Sequence, residues 1–273
     1  MFDTSFIVKI INTTVSGMVD LFYPALFFIT LSLILRGVNE TTTGIKNKLS
    51  QTMLNLMIIL FNLILISPII FFISSFMNSL EMSLINYEFW ENKNSFIVIF
   101  IAVFLGDFIG YWRHRLEHSR LLWASHAIHH SDDNMGWLTL ERFHPINRIT
   151  TFVIDTTILS LLGLPLYAII ANNIVRHYYG YFIHSDLKWD MGLLGKIFVS
   201  PSMHQWHHAS VYRAFNTNYA TIFSIFDRMF GTYYVPRTNN IPLGVNQDMG
   251  DGLAGQLLYP FKLNSYKRPK KKK

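Results

Sequence analysis

The chain contains no cysteine, which excludes a disulfide framework, a thiolate metal site and a cysteine nucleophile. It also leaves the redox compartment unreadable from cysteine usage. Charge is sparse: Asp, Glu, Lys and Arg make up 15% of the 273 residues, against 51% apolar residues. That balance is displaced from a soluble domain toward a membrane protein. No Pro/Gly/Ser-rich linker and no internal repeat divides the chain, so one integrated unit is expected. There is no G-x-G-x-x-G loop, haem motif or flavin signature, so redox chemistry here would draw its electrons from a separate donor.

What is present begins with apolar runs close to the ~20 residues that cross a hydrocarbon core as a helix. Val15 to Leu35 is the first, with Asp20 near its start and Arg36 closing it. Met53 to Phe76 is interrupted only by Asn55, Asn62 and Pro68, and Phe96 to Trp112 feeds into Arg113-His114-Arg115. Residues 5–14 read as a short interfacial helix. A cleavable signal peptide is not expected, because the start lacks a basic region and a small-residue cleavage pattern. The loop 36–52 carries Arg36, Lys46 and Lys48 against Glu40, while 77–94 carries Glu81, Glu88 and Glu91 against Lys93. The positive-inside rule puts the first loop in the cytoplasm and the second outside. The terminal Lys267-Arg268-Pro269-Lys270 to Lys273 reads as an anchor drawn to lipid head groups on the cytoplasmic face, not as a nucleic-acid patch.

All eleven histidines lie between His114 and His208. Eight form three clusters: His114 and His118; His126, His129 and His130; His204, His207 and His208. Residues at i, i+3 and i+4 are neighbours on a helix, so each cluster is expected to aim its rings at one spot. Imidazole is the commonest protein ligand for first-row metals. With His184 the donors number nine, a surplus over one four-coordinate zinc that points to two metals. For the third cluster to meet the other two, the apolar stretch Ile149 to Ile183 must be a helical hairpin turning at Gly163-Leu164-Pro165. Asp107 and Asp155 are costly in lipid and are expected to face protein or a polar cavity.

These residues stand in a recognisable order. Asp107-(x)3-Tyr111-Trp112-Arg113-His114-Arg115-Leu116-Glu117-His118 is followed by Leu122-Trp123-Ala124-Ser125-His126-Ala127-Ile128-His129-His130-Ser131. Then come Arg142-Phe143-His144-Pro145, Phe182-Ile183-His184-Ser185, Pro201-Ser202-Met203-His204-Gln205-Trp206-His207-His208, Asn218-Tyr219 and Phe226-Asp227-Arg228-Met229-Phe230-Gly231-Thr232. The chain resembles the membrane fatty acid hydroxylase/sterol desaturase superfamily over residues 105–235, and is most similar to its bacterial sterol desaturase-like members.

The resemblance implies an all-α polytopic membrane protein whose helices pack under a cytoplasmic, histidine-rich di-metal cap. It implies a non-haem di-iron oxidase that takes dioxygen and hydroxylates or desaturates a lipid C–H bond. His114, His118, His126, His129, His130, His184, His204, His207 and His208 carry over as the metal ligands. Several relatives have a further histidine at the position of Gly180; His177 lies three residues before it. His144 matches a motif position outside the register of the clusters, and reads as a residue behind the ligands or a structural one. The expected layout is N-terminal transmembrane helices over 1–112, a catalytic domain over 113–235 including the hairpin 149–183, and a C-terminal cytoplasmic segment over 236–273. The expected location is a bacterial inner membrane with the metal site and C-terminus cytoplasmic, the endoplasmic reticulum being the alternative.

The chemistry can also be argued from the residues. Oxidising an unactivated lipid carbon needs more than any side chain supplies, and iron with dioxygen supplies it. Neutral imidazoles leave coordination positions open, although zinc can occupy the same rings in a purified protein. Ring N–H groups need acceptors, for which Glu117, Asp132, Asp133, Asp186 and Asp227 are candidates. The substrate, a fatty acyl, sterol-like or ether lipid, would enter from the bilayer. A small acidic redox carrier with its reductase would deliver electrons to the basic face. Trp123, Trp137, Trp189 and Trp206 read as core or interfacial anchors. Two alternatives remain. His114-Arg115-Leu116-Glu117-His118 has the H-x-x-E-H pattern of a single-zinc metalloprotease, which leaves both H-x-x-H-H clusters unexplained. A metal or proton carrier would place its histidines along the spans instead of beside arginines at their ends.

Overall fold

The computed structural model describes residues 4–79, 83–237, 241–250 and 252–266; Glu81 and the basic tail Lys267 to Lys273 lie outside the described residues. Its regular structure is helical, with only the isolated bridges Phe198–Phe223 and Ala209–Leu243 among the described residues.

Helix α1 (Thr4–Asp20) leads into α2 (Phe22–Phe61), a π-helical turn Asn62–Ile66 and α3 (Ser67–Ser79). The π turn precedes Pro68, whose ring and missing N–H disturb the regular ladder one turn earlier. Gly37 breaks α2 with φ 77° and ψ 177°, a conformation open essentially to glycine alone. The chain reverses there. Ser32 Oγ and Thr41 Oγ1 meet at 3.0 Å across the bend, and Lys9 Nζ sits 3.4 Å over the Phe71 ring at the far end. Residues 4–36 and 38–79 are therefore two antiparallel arms. The expected interfacial helix 5–14 is not separate from the first apolar run, and the expected loop 36–52 is mostly helix. A polar stretch bounded by apolar runs looks like a loop in sequence, but here it continues the second arm into the cap.

Helix α4 (Glu88–Glu91) is one turn; α5 (Ser95–Glu117) begins at the Asn94 cap, whose side chain accepts from Phe96 N at 2.9 Å. Ile7–Phe76 and Ser95–Glu117 are the two helical stretches among the described residues that are long and apolar enough to cross a membrane. Large apolar side chains such as Ile11, Val15, Phe72 and Phe100 are exposed along them, as lipid-facing surfaces require. The protein is a membrane protein.

The hairpin comes next in the chain. Helix α7 (Pro145–Thr151) passes through a π turn Phe152–Thr156 into α8 (Thr157–Leu161), the chain turns at Gly163 with φ 65°, and α9 (Leu166–His184) returns. The turn falls where the Gly-Leu-Pro break places it. Leu159, Leu164, Ala168 and Ile169 pack against Val98, Ala102 and Ile109 of α5. Close approach of α9 to α5 depends on Gly106 and Gly110, since a Cβ at either would collide with the side chain of Asn172 or Arg176.

The cap is built from short pieces: α6 (Trp123–His126), 3-10 turns His129–Ser131 and Trp137–Glu141, α10 (Pro201–His207), α11 (Ile225–Met229) and α12 (Gly252–Leu258). Trp137 stacks on Phe28 of the first arm with ring centroids 5.8 Å apart. Two carboxylates organise the rest. Asp107 accepts from the backbone N–H groups of Thr221, Ile222 and Phe223 at 3.2, 3.0 and 2.8 Å. Asp227 accepts from those of Tyr219 and Ala220 at 2.7 and 2.9 Å and from Thr232 Oγ1 at 2.6 Å. Five successive amides that make no helix or sheet are thereby satisfied beside α5, where water is scarce. Asp107 and Asp155 both face protein, as expected.

Candidate metal centre

Helix α5 carries His114 in its last turn and delivers His118 just beyond it, and α9 ends on His184. Helix α10 starts where Ser200 Oγ accepts from Met203 N at 3.1 Å and Pro201 occupies the first turn, which presents His204, His207 and His208. The structure gathers these with the α6 and 3-10 histidines into two groups. His114, His118, His126, His130 and His207 form one; His129, His184, His204 and His208 form the other; within each the donor atoms lie within 4.8 Å of one another. The groups abut, the rings of His130 and His208 stacking at 4.3 Å.

The expectation that each cluster aims at one spot holds for His114 and His118 and is overturned for the two H-x-x-H-H clusters. His126 and His130 turn to the five-membered group and His129 to the other; His204 and His208 join the four-membered group and His207 the first. Adjacent helical residues point ~100° apart, so His207 and His208 cannot converge.

Tautomers are fixed from outside. Nδ1 donates to a backbone carbonyl in His114 (Tyr219 O, 2.8 Å), His184 (Gly180 O, 2.7 Å) and His207 (Thr217 O, 2.7 Å). Each therefore turns a bare Nε2 inward. The Asn216 side chain lies beside His118. Asn216 and Asn218 adopt φ of 60° and 58°, which asparagine tolerates, so the segment 216–219 wraps the five-membered group.

The donors fit a metal. His126 Nε2 lies 3.1 Å from His114 Nε2 and 3.2 Å from His130 Nε2; His184 Nε2 lies 3.1 Å from His129 Nε2 and 2.9 Å from His204 Nε2. Nitrogens ~2.0–2.1 Å from a common metal stand about 3 Å apart when bound at right angles. The Nε2 atoms of His118 and His207 and both ring nitrogens of His208 are buried with no hydrogen-bond partner. Orphaned nitrogens at such a density need an explanation, and a cation provides one. Burial pushes His118, His126, His129, His130, His204 and His208 well below the usual histidine range and His207 down to about 4. The rings are neutral at pH 7 and their lone pairs are available.

Other candidates fall elsewhere. His144 caps α7, accepting from Ile146 N at 3.1 Å, while its Nε2 lies 3.1 Å from Leu257 O; it joins neither group and is structural. His177 lies 3.0 Å from Tyr181 Oη and 3.3 Å from Glu141 Oε1, also outside both groups. At Gly180 a Cβ would stand 2.9 Å from Leu140 Cδ1, so Leu140 fills the space a histidine would need. Of the five proposed carboxylate acceptors only Glu117 faces a grouped ring, 3.5 Å from His126 Nδ1. Asp132 accepts from Thr139 Oγ1 at 2.7 Å and Asn55 Nδ2 at 3.3 Å, Asp133 from Gln51 Nε2 at 2.9 Å, Asp186 from Arg36 and Lys48 at 2.7 and 2.8 Å, and Asp227 from the loop amides. The acceptors that sequence reasoning missed are the carbonyls of Thr217, Tyr219 and Gly180, which no side-chain pattern encodes.

Between the two N-terminal arms and the cap lies an open cleft of about 350 Å³, bordered by Asp132 and Ser185 but by none of the grouped histidines. Ala25, Phe28, Ile29, Leu49 and Leu56 make it apolar, and Arg36, Lys48 and Asp186 also line it.

The family model for fatty acid hydroxylase matches residues 99–232, the segment that contains all nine grouped histidines. The chain belongs to the fatty acid hydroxylase superfamily. It is 32% identical to the ornithine lipid hydroxylase OlsE of Rhizobium tropici over 64% of this chain and 54% of that protein. It is 30% identical to the alkylglycerol monooxygenase of Danio rerio over 59% of this chain and 35% of that one. Methylsterol monooxygenase 2-2 of Arabidopsis thaliana is 26% identical over 52% of this chain and 54% of that one. The chain thus spans about half or less of these relatives. No solved structure matches it.

Proposed function

We propose that this protein is a membrane-bound oxidoreductase that holds one iron in each histidine group and hydroxylates a lipid. The observation that carries this reading is the gathering of nine buried histidines into two adjacent groups with bare ring nitrogens turned inward. Iron held there would supply, with dioxygen, the oxidising power that an unactivated C–H bond requires. The overall change balances as one oxygen atom entering the C–H bond and the other leaving as water, with two electrons and two protons from an external donor. The three relatives described above are named as hydroxylases or monooxygenases, which favours hydroxylation over desaturation or ether cleavage.

The chain's own residues position and shield. Carbonyls of the 216–219 segment and of Gly180 hold three rings in one tautomer, and the apolar cleft beside the cap suits an acyl chain arriving from the bilayer. The zinc-protease reading has little support, because His114 and His118 share their group with three more histidines. Glu117, its required base, is occupied by Arg113 at 2.8 Å and Thr150 at 3.2 Å. We further propose a cytoplasmic metal cap, with electrons from a separate small carrier.

Lipid extracts of cells with and without the chain, compared by mass spectrometry, test this. A lipid gaining one oxygen only when the chain is present supports it; loss of two hydrogens would point to desaturation, and identical extracts would reject the activity.

A further inference from the structure

Five charged side chains form a line of alternating sign between α5, the π turn of the hairpin and α9, and it ends against a histidine of the five-membered group. Arg176 Nε lies 3.7 Å from Asp107 Oδ1 and its Nη1 lies 2.8 Å from Asp155 Oδ2. Arg113 then bridges Asp155 Oδ1 at 2.9 Å and Glu117 Oε2 at 2.8 Å. Glu117, with 0% of its side chain exposed, closes the line 3.5 Å from Nδ1 of His126. Thr150 Oγ1 donates to its other oxygen at 3.2 Å.

An i,i+4 pair such as Arg113 and Glu117 is ordinarily a modest helix-stabilising contact. Here Arg113 is shared. Its one positive charge is divided between Asp155 and Glu117, and the line as a whole has three carboxylates for two guanidiniums. The uncompensated negative charge needs a cation nearby in a low-dielectric interior. His126 Nδ1 is buried and has no hydrogen-bond partner, while Nε2 of the same ring is 3.1 and 3.2 Å from its neighbours His114 and His130. A divalent cation bound by neutral imidazoles alone would bring charge that only Glu117 is placed to balance through that ring. His114 and His207 of the same group, and His184 of the other, direct Nδ1 to backbone carbonyls instead.

We propose that Glu117 is a positioning residue for the metal of the five-histidine group, holding the His126 ring through Nδ1 and supplying its fixed counter-charge. Asp155 tunes that charge by competing for Arg113. The inference rests on the two-metal reading and is confined to one of the two sites.

The test uses the full-length protein in detergent, stripped of metal and titrated anaerobically with Fe(II) or Co(II), with metal counted per chain and cobalt absorption followed. The unmodified chain should bind two ions. Glu117→Gln should keep one at unchanged affinity and bind the other on the order of 10–100-fold more weakly, the usual cost of losing a residue that orients a ligand. Glu117→Asp should restore part of the loss. Asp155→Asn, which hands Arg113 wholly to Glu117, should weaken the same ion by less. Thr150→Val, which removes only a neutral hydrogen bond, should leave both ions in place. Two ions at unchanged affinity in Glu117→Gln would overturn the inference while leaving the two-metal reading standing. So would equal loss of both ions in Glu117→Gln and Thr150→Val, since that marks a general packing role. Should Glu117→Gln fail to fold, Asp155→Asn decides: unchanged affinity at both sites overturns the inference. An unmodified chain that binds no ion would overturn the two-metal reading, and the inference with it.

Discussion

The two histidine groups differ in how they are supported. The five-membered group leans on a loop: Thr217 and Tyr219 lend their carbonyls, and Asp227 keeps that loop in place by accepting its amides. The four-membered group leans on a helix, with His184 bonded one turn back to Gly180 and Leu140 packed where a further ring would stand. The difference indicates that disturbing the loop should reach one metal first, and disturbing α9 the other. If each group holds one metal, the group on the helix offers it one protein donor fewer, four against five.

Lipid oxidation requires both groups if two irons share the reduction of dioxygen. His207→Ala, in the five-membered group, and His204→Ala, in the four-membered group, should each lower lipid oxidation by at least ~100-fold, the upper range seen when only a ligand's outer partner is lost. The assay is product formed per chain by lipid mass spectrometry. Full activity in either variant would remove that group from the reaction.

Outside the ligands, Asp227→Ala should strike the loop support of the five-membered group. It strands the two amides of Tyr219 and Ala220 at ~1–3 kcal/mol each, while Thr232 Oγ1 keeps Tyr111 Oη at 2.9 Å, so a stability loss of at least ~2 kcal/mol is expected in thermal unfolding. The metal of the five-membered group should be released at lower temperature than the other. Simultaneous release would erase the distinction between loop and helix support.

Acid should treat the groups alike. The folded rings have lowered pKa values, so below the ordinary 6.5 the unfolded chain takes up protons that the folded one refuses. Stability of the metal-free protein is therefore intact above pH 6.5 and declines as pH falls toward the folded values. His207, at about 4, would account for ~3 kcal/mol of that decline over this interval. Unfolding midpoints measured between pH 7 and 4.5 check it; a flat profile would mean that the rings are not buried and neutral.

The smallest effect falls on the helix side. Gly180→His alone should destabilise by ~1–3 kcal/mol through overpacking against Leu140. Combining it with Leu140→Ala should recover part of this and alter the spectrum of the four-membered site only. No recovery would show that Leu140 is not what fills that space.

The sequence made some of this legible and not the rest, for physical reasons. The nine histidines and the turn at Gly163 were readable because helical spacing and a Gly-Leu-Pro break leave marks in side-chain order. The split of His129 from His126 and His130 was not anticipated, although a 3.6-residue period already separates adjacent histidines by ~100°. The reversal at Gly37 was missed because a glycine at the edge of a polar stretch looks the same in a loop and in a sharp helical bend. Asp186 and Asp227 stood near the ligands in sequence, but they serve Arg36 with Lys48 and the loop amides respectively. The actual ring acceptors are mostly backbone carbonyls, and every residue has one.

The central claim, that each H-x-x-H-H segment divides between two metals, is tested most directly by counting iron in three proteins reconstituted anaerobically: the unmodified chain, His207→Ala and His204→Ala. Two irons are expected in the first and about one in each variant, with different iron spectra because opposite sites survive. Two irons retained in both variants, or the same single site surviving in both, would contradict it.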